Sequence, residues 1–204
     1  MKLYYSPGAC SLAPHIVARE AGLPVTLEKV NLANRTTETG ANFATINPKG
    51  YVPAVALDDG SVLTEAAAIL QYLADQQPSA GLAPANGTTE RYRLIEWLTF
   101  ISSEIHKGFG PLWHPATPDS VKASTKDRLA ARFAYLDETL ARQPYLMGET
   151  FTVADAYLFT VMNWANFHAI DITPFKSLSA FMTRVAARPK VQEALMAEGL
   201  KQAA

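Results

Sequence analysis

The hydrophobic periodicity of this chain changes once along its length. Up to about residue 76, short alternating or branched-chain runs are interleaved with helical ones. Beyond that point every periodic stretch steps by three or four. Residues 2–5, Lys-Leu-Tyr-Tyr, predict a strand that ends at the turn Ser6-Pro7-Gly8. Residues 10–21 predict a helix with Leu12 and Ile16 on one side and Arg19 and Glu20 on the other. Gly22 stops it, and Pro14 falls in the first turn, where a missing N–H matters least. Residues 25–30 alternate and predict a second strand. Residues 31–48 are polar and predict a loop with room for one helical turn. Residues 50–57 predict a third strand entered through Pro53. Asp58-Asp59-Gly60 is a hairpin turn, residues 61–64 return, and residues 65–76 predict a helix whose apolar face is Ala66, Ile69, Leu70 and Leu73. The order is βαβ followed by ββα.

Residues 78–86 are rich in Pro, Ser, Gly and Ala and predict a linker. After it, Leu94, Leu98, Ile101 and Ile105 form one apolar stripe, Leu129, Phe133, Leu136 and Leu140 a second, and Leu178, Phe181 and Val185 a third. Thr152-Val153-Ala154-Asp155 opens an almost wholly apolar helix with a capping box in which Asp replaces the usual Glu. A helix apolar on all sides belongs at the centre of its domain. The expected division is residues 1–77, an α/β domain; 78–86, a linker; and 87–204, an all-helical domain.

Composition narrows the function classes. With 49% hydrophobic and 18% charged residues the chain has material for a packed core, and a net charge of -1 offers a polyanion nothing, so no nucleic acid is expected as partner. One cysteine excludes an internal disulfide. The N-terminus lacks a long apolar run and residues 153–167 are too short to span a bilayer, so no membrane partner and a cytoplasmic location are expected. The four histidines show no metal spacing, and P-loop, H-E-x-x-H and G-x-S-x-G motifs are absent, so no metal and no tightly bound cofactor are expected.

Four places can carry chemistry. Cys10 stands between a strand–turn and a helix start, where the helix's partial positive charge favours a thiolate; a buried structural cysteine is the alternative. Ala13 rules out a C-x-x-C redox pair, so any resolving thiol comes from a small molecule. Pro53, in the cis form, would turn the Val52 backbone toward an extended peptide ligand, but the sequence does not fix the isomer. Glu65 and Ala66 head a helix whose amides suit a carboxylate, or they form an ordinary solvated helix start. Thr99, Ser102, Ser103 and His106 make a polar stripe beside the Leu94–Ile105 apolar one, which is either a solvated face or a site where His106 serves a thiolate.

A βαβ-ββα half followed by a helical half resembles the glutathione transferases, whose first domain is thioredoxin-like. The segment from Met1 to Ser11 is similar to the opening of their bacterial beta class. Asn47-Pro48-Lys49-Gly50-Tyr51-Val52-Pro53 resembles the family's cis-proline segment, and Leu63-Thr64-Glu65-Ala66 its γ-glutamyl-binding turn. Ser103-Glu104-Ile105-His106-Lys107 resembles the beta-class helix that reaches the thiol, and Thr152–Asp155 the family's capping box. The likeness covers nearly the whole chain. It implies an α/β thioredoxin-like N-terminal domain, an all-α helical-bundle C-terminal domain, and an enzyme that conjugates small electrophiles with glutathione or reduces them with it.

The resemblance also implies roles. Cys10 faces the glutathione sulfur and can form a mixed disulfide with it. Val52 pairs with the cysteinyl backbone, flanked by Tyr51 and cis-Pro53. Glu65 and Ala66 hold the γ-glutamyl end. Arg35 stands where the class usually has Lys and holds the glycyl carboxylate; Ala66 stands where other classes have Ser, leaving only its amide. Thr99, Ser103, Glu104 and Lys107 are helix contacts, some from a partner subunit, and His106 assists the thiolate. Phe109, Leu112 and Trp113 are expected to wall the site of a small hydrophobic electrophile. A two-fold homodimer is expected, each first domain facing the other subunit's helical domain. Two rivals remain. One is a glutathione-dependent thiol–disulfide reductase, peroxidase or dehalogenase in which Cys10 cycles. The other is a non-catalytic binding or scaffold protein on the same fold.

Overall fold

The computed structural model describes residues 1–200. Two compact units emerge, residues 1–83 together with the segment from residue 187 onward, and residues 84–186.

The first unit is built on a five-stranded mixed sheet of order β3-β2-β1-β4-β5, comprising β1 Lys2–Tyr5, β2 Thr26–Asn31, β3 Thr36–Thr37, β4 Ala54–Ala56 and β5 Val62–Thr64. Strand β1 lies at the centre, parallel to β2 and antiparallel to β4. Its last three residues are buried in succession, the mark of a strand covered on both faces rather than one. Helix α1, Leu12–Glu20, makes the crossover that a parallel pair requires. Helix α2, Phe43–Ile46, is a single turn, and α3, Ala66–Gln76, packs on α1. A small core of Tyr4, Val30, Phe43, Val52 and Ala54 ties the β2–β4 region together.

Three local outcomes differ from the sequence expectation. Helix α1 starts at Leu12, two residues later than predicted, so Cys10 stays in the loop ahead of it. The third strand is confined to Ala54–Ala56, and residues 50–53, which include the cis Val52–Pro53 bond, lie outside the ladder. The polar stretch 31–48 holds strand β3 as well as the helical turn.

The second unit holds α4, Thr89–Phe100, which runs into a π-helical stretch, Ile101–His106, then a 3₁₀ turn, Lys107–Phe109, and the short α5, Gly110–Trp113. Helix α6 spans Asp119–Leu140, α7 Val153–Met162, α8 Trp164–Phe167 and α9 Lys176–Ala186. Every residue of α7 is buried, as its composition requires. Its capping box forms: the Asp155 carboxylate accepts from the Thr152 amide at 2.8 Å and hydroxyl at 3.0 Å, and from the Leu146 amide at 2.8 Å. Burial pushes that carboxyl up to about 6 against the pull of those donors.

The last helix, α10, Pro189–Ala197, does not join the helical unit that the expected boundary of 87–204 assigned it to. It packs on α1 and belongs with the sheet. Arg188 pairs with Glu20 through two bonds of 2.7 and 2.9 Å at one end of this helix pair. Covered by α3 and α10, helix α1 is buried from Leu12 through Ala18. None of the helices among the described residues is long and apolar enough to cross a membrane.

Candidate active site

In the first unit the site grows from three loops that leave the sheet on one side of β1, β4 and α3. The loop after β1 is tied by Ser11, whose hydroxyl accepts from the Ser6 amide at 3.1 Å and donates to the Ser6 carbonyl at 3.3 Å. It carries Cys10, a buried free thiol. The Cys10 Sγ–H donates to the Val52 carbonyl at 3.1 Å, immediately before the cis Val52–Pro53 bond. The sulfur and the Val52 main chain expected to clasp a peptide therefore lie together.

The loop before Val52 is shaped by Asn47, nearly fully buried. Its side-chain N–H donates to the Tyr51 carbonyl at 2.7 Å and its side-chain oxygen accepts from the Lys49 amide at 3.1 Å. Gly50 sits at φ +74, where an L side chain is strained. A Cβ there would lie 3.3 Å from Nε and Cζ of Arg35, so the missing side chain also lets the guanidinium close over the loop. Arg35 is itself held at φ +55.

Glu65 has φ +73 and caps α3. The Ala68 and Ile69 amides donate to its carbonyl, so the amides of Ala66 and Ala67 stand ahead of the helix's own ladder and face the loop side. The Glu65 carboxylate accepts from Lys49 Nζ at 2.6 Å and from the Tyr51 hydroxyl at 2.7 Å. Both donors are held above their ordinary pKa by that carboxylate. Lys49 and Asn47 received no role from the sequence. Their partners are brought near by the chain's turn back on itself, and the only local signal was their place beside Gly50 and Pro53.

In the second unit the polar stripe of α4 divides. Thr99 and Ser103 donate their hydroxyls back to the Ile95 and Thr99 carbonyls, at 2.8 and 3.0 Å. Glu104 pairs with Arg132 at 2.8 Å. His106 ends the π-helical stretch, a widened turn that recurs at functional sites. Its Nδ1 lies 2.6 Å from the Tyr157 hydroxyl, and its ring meets Trp164 edge-on at 4.9 Å. Tyr157 was missed; its signal was a phenol in an otherwise apolar helix, whose hydroxyl must find a partner when buried.

The expected electrophile wall needs correction at one residue. Phe109 has no exposed surface and packs on Phe133, Trp164 and His168. It lies behind that wall, with no surface of its own. Trp113 is about half exposed, meeting Trp164 and His168, and Leu112 is half-buried.

Family models for the glutathione S-transferase N-terminal and C-terminal domains match residues 8–76 and 100–189. Glutathione S-transferase GstA of Escherichia coli O157:H7 is 48% identical over 98% of this chain and all of its own length.

This chain belongs to the glutathione S-transferase family.

Two solved structures sharpen the placement. A sphingomonad glutathione S-transferase complexed with glutathione superposes with a TM-score of 0.96 at 49% identity, over 98% of this chain and 100% of that one. A bacterial beta class glutathione S-transferase from Sphingomonas chungbukensis does so at 0.95 and 49%, with the same coverage. The thioredoxin-like first unit and helical second unit of a beta-class glutathione transferase are thus present, with the Cys10–Val52 contact, the cis Val52–Pro53 bond and the Glu65 turn in one unit.

Proposed function

We propose that the chain binds glutathione along the Val52 backbone and joins it through its sulfur to small hydrophobic electrophiles. The observation that carries this reading is the Cys10 thiol on the carbonyl of Val52, at a main-chain edge suited to pairing with an extended peptide. Glu65 takes the γ-glutamyl ammonium, a role supported by the two cationic or polar donors it already accepts from. The Ala66 amide takes the γ-glutamyl carboxylate. Arg35, closed over Gly50, takes the glycyl carboxylate through a fork that lysine lacks.

His106, Thr99, Ser103, Glu104 and Lys107 keep the roles of sulfur and peptide contacts that the family resemblance gives them. Trp113 and Leu112 present the apolar surface for the electrophile. In conjugation the glutathione sulfur attacks the electrophilic carbon, its proton goes to solvent, and the leaving group departs with the bonding pair. Glutathione is a co-substrate rather than a resident cofactor. The working form is a cytoplasmic homodimer.

A second reading is favoured by the same thiol. Cys10 can exchange with glutathione disulfide, forming a Cys10–glutathione disulfide and releasing one glutathione. Calorimetry with glutathione, followed by conjugation and disulfide-reduction assays on Cys10→Ala, separates the readings. Retained conjugation with lost reduction assigns reduction to Cys10. Binding without any turnover in the wild type favours a scaffold, and the absence of binding refutes the site.

A further inference from the structure

The buried polar groups under the Cys10 loop form a chain that the proposed chemistry does not use. Glu198 caps the C-terminal end of helix α10, and the next residue, Gly199, lies in the left-handed region at φ +70. Its side chain has no exposed surface. One carboxylate oxygen lies 2.9 Å from Nδ1 of His15, and the other accepts from the Gly8 amide at 3.0 Å. On the far side of the imidazole, Arg19 Nε–H donates to His15 Nε2 at 2.8 Å.

These contacts fix the proton. A guanidinium only donates, so Nε2 must accept, and the proton of the neutral ring sits on Nδ1 and points at Glu198. Every donor in the chain therefore faces an acceptor: Arg19 donates to His15, and His15 and the Gly8 amide both donate to Glu198. Gly8 has φ +72 in the turn that delivers Cys10 two residues later. Its amide is anchored from a helix almost two hundred residues away in sequence.

We propose that Glu198 is a positioning residue for the Cys10 loop, holding Gly8 so that the thiol stays on the Val52 carbonyl. This extends the glutathione reading, since it gives the last helix a part in the active site rather than in packing alone. The directionality of the chain makes the idea specific. Glu198→Gln keeps size and one oxygen, but its amide group can donate to His15 only if the ring moves its proton to Nε2. Arg19 forbids that, because two donors would then meet. Removing Arg19 lifts the prohibition; its side chain is part-exposed, so water can take the vacated place.

The test uses the full-length protein and a readout that needs no glutathione: the rate at which iodoacetamide alkylates Cys10, beside conjugation turnover and melting temperature. In Glu198→Gln the loosened thiol alkylates severalfold faster, while conjugation kcat falls about tenfold, the scale expected of a slightly misplaced reacting group. KM for the electrophile is unchanged. Adding Arg19→Met returns both rates toward wild type. An unchanged alkylation rate in Glu198→Gln, or a double variant no better than the single one, overturns the proposal. Should Glu198→Gln not fold, exchange of the Gly8 amide in the wild-type protein decides: protection comparable to that of β1 supports the anchor, and loop-like exchange refutes it. A shifted alkylation rate in a protein that ignores glutathione sinks the binding reading and leaves the positioning role standing.

Discussion

The two units build their functional surfaces from different material. In the first, the groups proposed to meet glutathione are main chain: the carbonyl of Val52, the cis bond after it, and the amides at the head of α3. Positions with φ above zero at Arg35, Gly50 and Glu65 aim them. In the second, the proposed groups are side chains: His106 on Tyr157, Glu104 on Arg132, and a cluster of aromatic rings edge-on to Trp164. A surface made of backbone tolerates exchange of side chains but fails when a loop shifts. A surface made of side chains fails when one partner is removed.

The largest effect should come from the second unit's aromatic support. Phe109→Ala empties a site with no exposed surface and should cost about 4 kcal/mol of stability, read by denaturant unfolding. A loss below about 1 kcal/mol would mean that the rings are not the unit's framework.

Asp155 gives the next effect, through pH. Burial raises its carboxyl from 3.8 to about 6, so the folded protein holds this proton more tightly than the unfolded chain. Stability from this group is therefore present below 3.8 and declines as pH rises through about 6, by about 3 kcal/mol in all. In Asp155→Asn that decline should vanish, so the wild type loses ground to the variant across this window. Parallel stability curves would contradict it.

For the first unit, Gly50→Val adds a Cβ at a strained φ and against Arg35. It should raise KM for glutathione about tenfold with a loss of about 1–2 kcal/mol in stability. Glu65→Gln weakens the hold on an ammonium without moving the loop, and should raise KM for glutathione severalfold with kcat nearly intact. The smallest effect is Tyr157→Phe, which takes the hydroxyl from His106 Nδ1 and should lower kcat severalfold while costing about 1 kcal/mol in stability. A rise in glutathione KM of the size expected for Gly50→Val would erase the contrast between the units.

The same contrast explains what could be read from the sequence. Cys10, Val52, Pro53, Glu65 and Ala66 lie in short segments that resemble the family's motifs, which is what singled them out; local chemistry alone left Cys10 open between a structural and a reactive thiol and did not fix the Pro53 isomer. Strand β3 and helix α2 were not separable, because two and four residues carry no period. The docking of α10 was invisible: an amphipathic helix shows that one face is buried but not against what. Phe109 was assigned to a ligand-facing wall, although it continues the steps of three and four residues from Leu98 through Ile101 and Ile105 into the core. The link of His106 to Tyr157 spans fifty-one residues and a widened helical turn, neither of which leaves a trace in periodicity.

The most direct measurement is a titration of the amide-labelled protein with S-methylglutathione, whose blocked sulfur removes any contribution from Cys10 chemistry. Saturable shifts of the Val52 and Ala66 amides, with one dissociation constant shared by calorimetry, are the predicted result. Unmoved amides at those two positions, whether or not the tripeptide binds elsewhere, would contradict the claim that this chain clasps glutathione by its main chain.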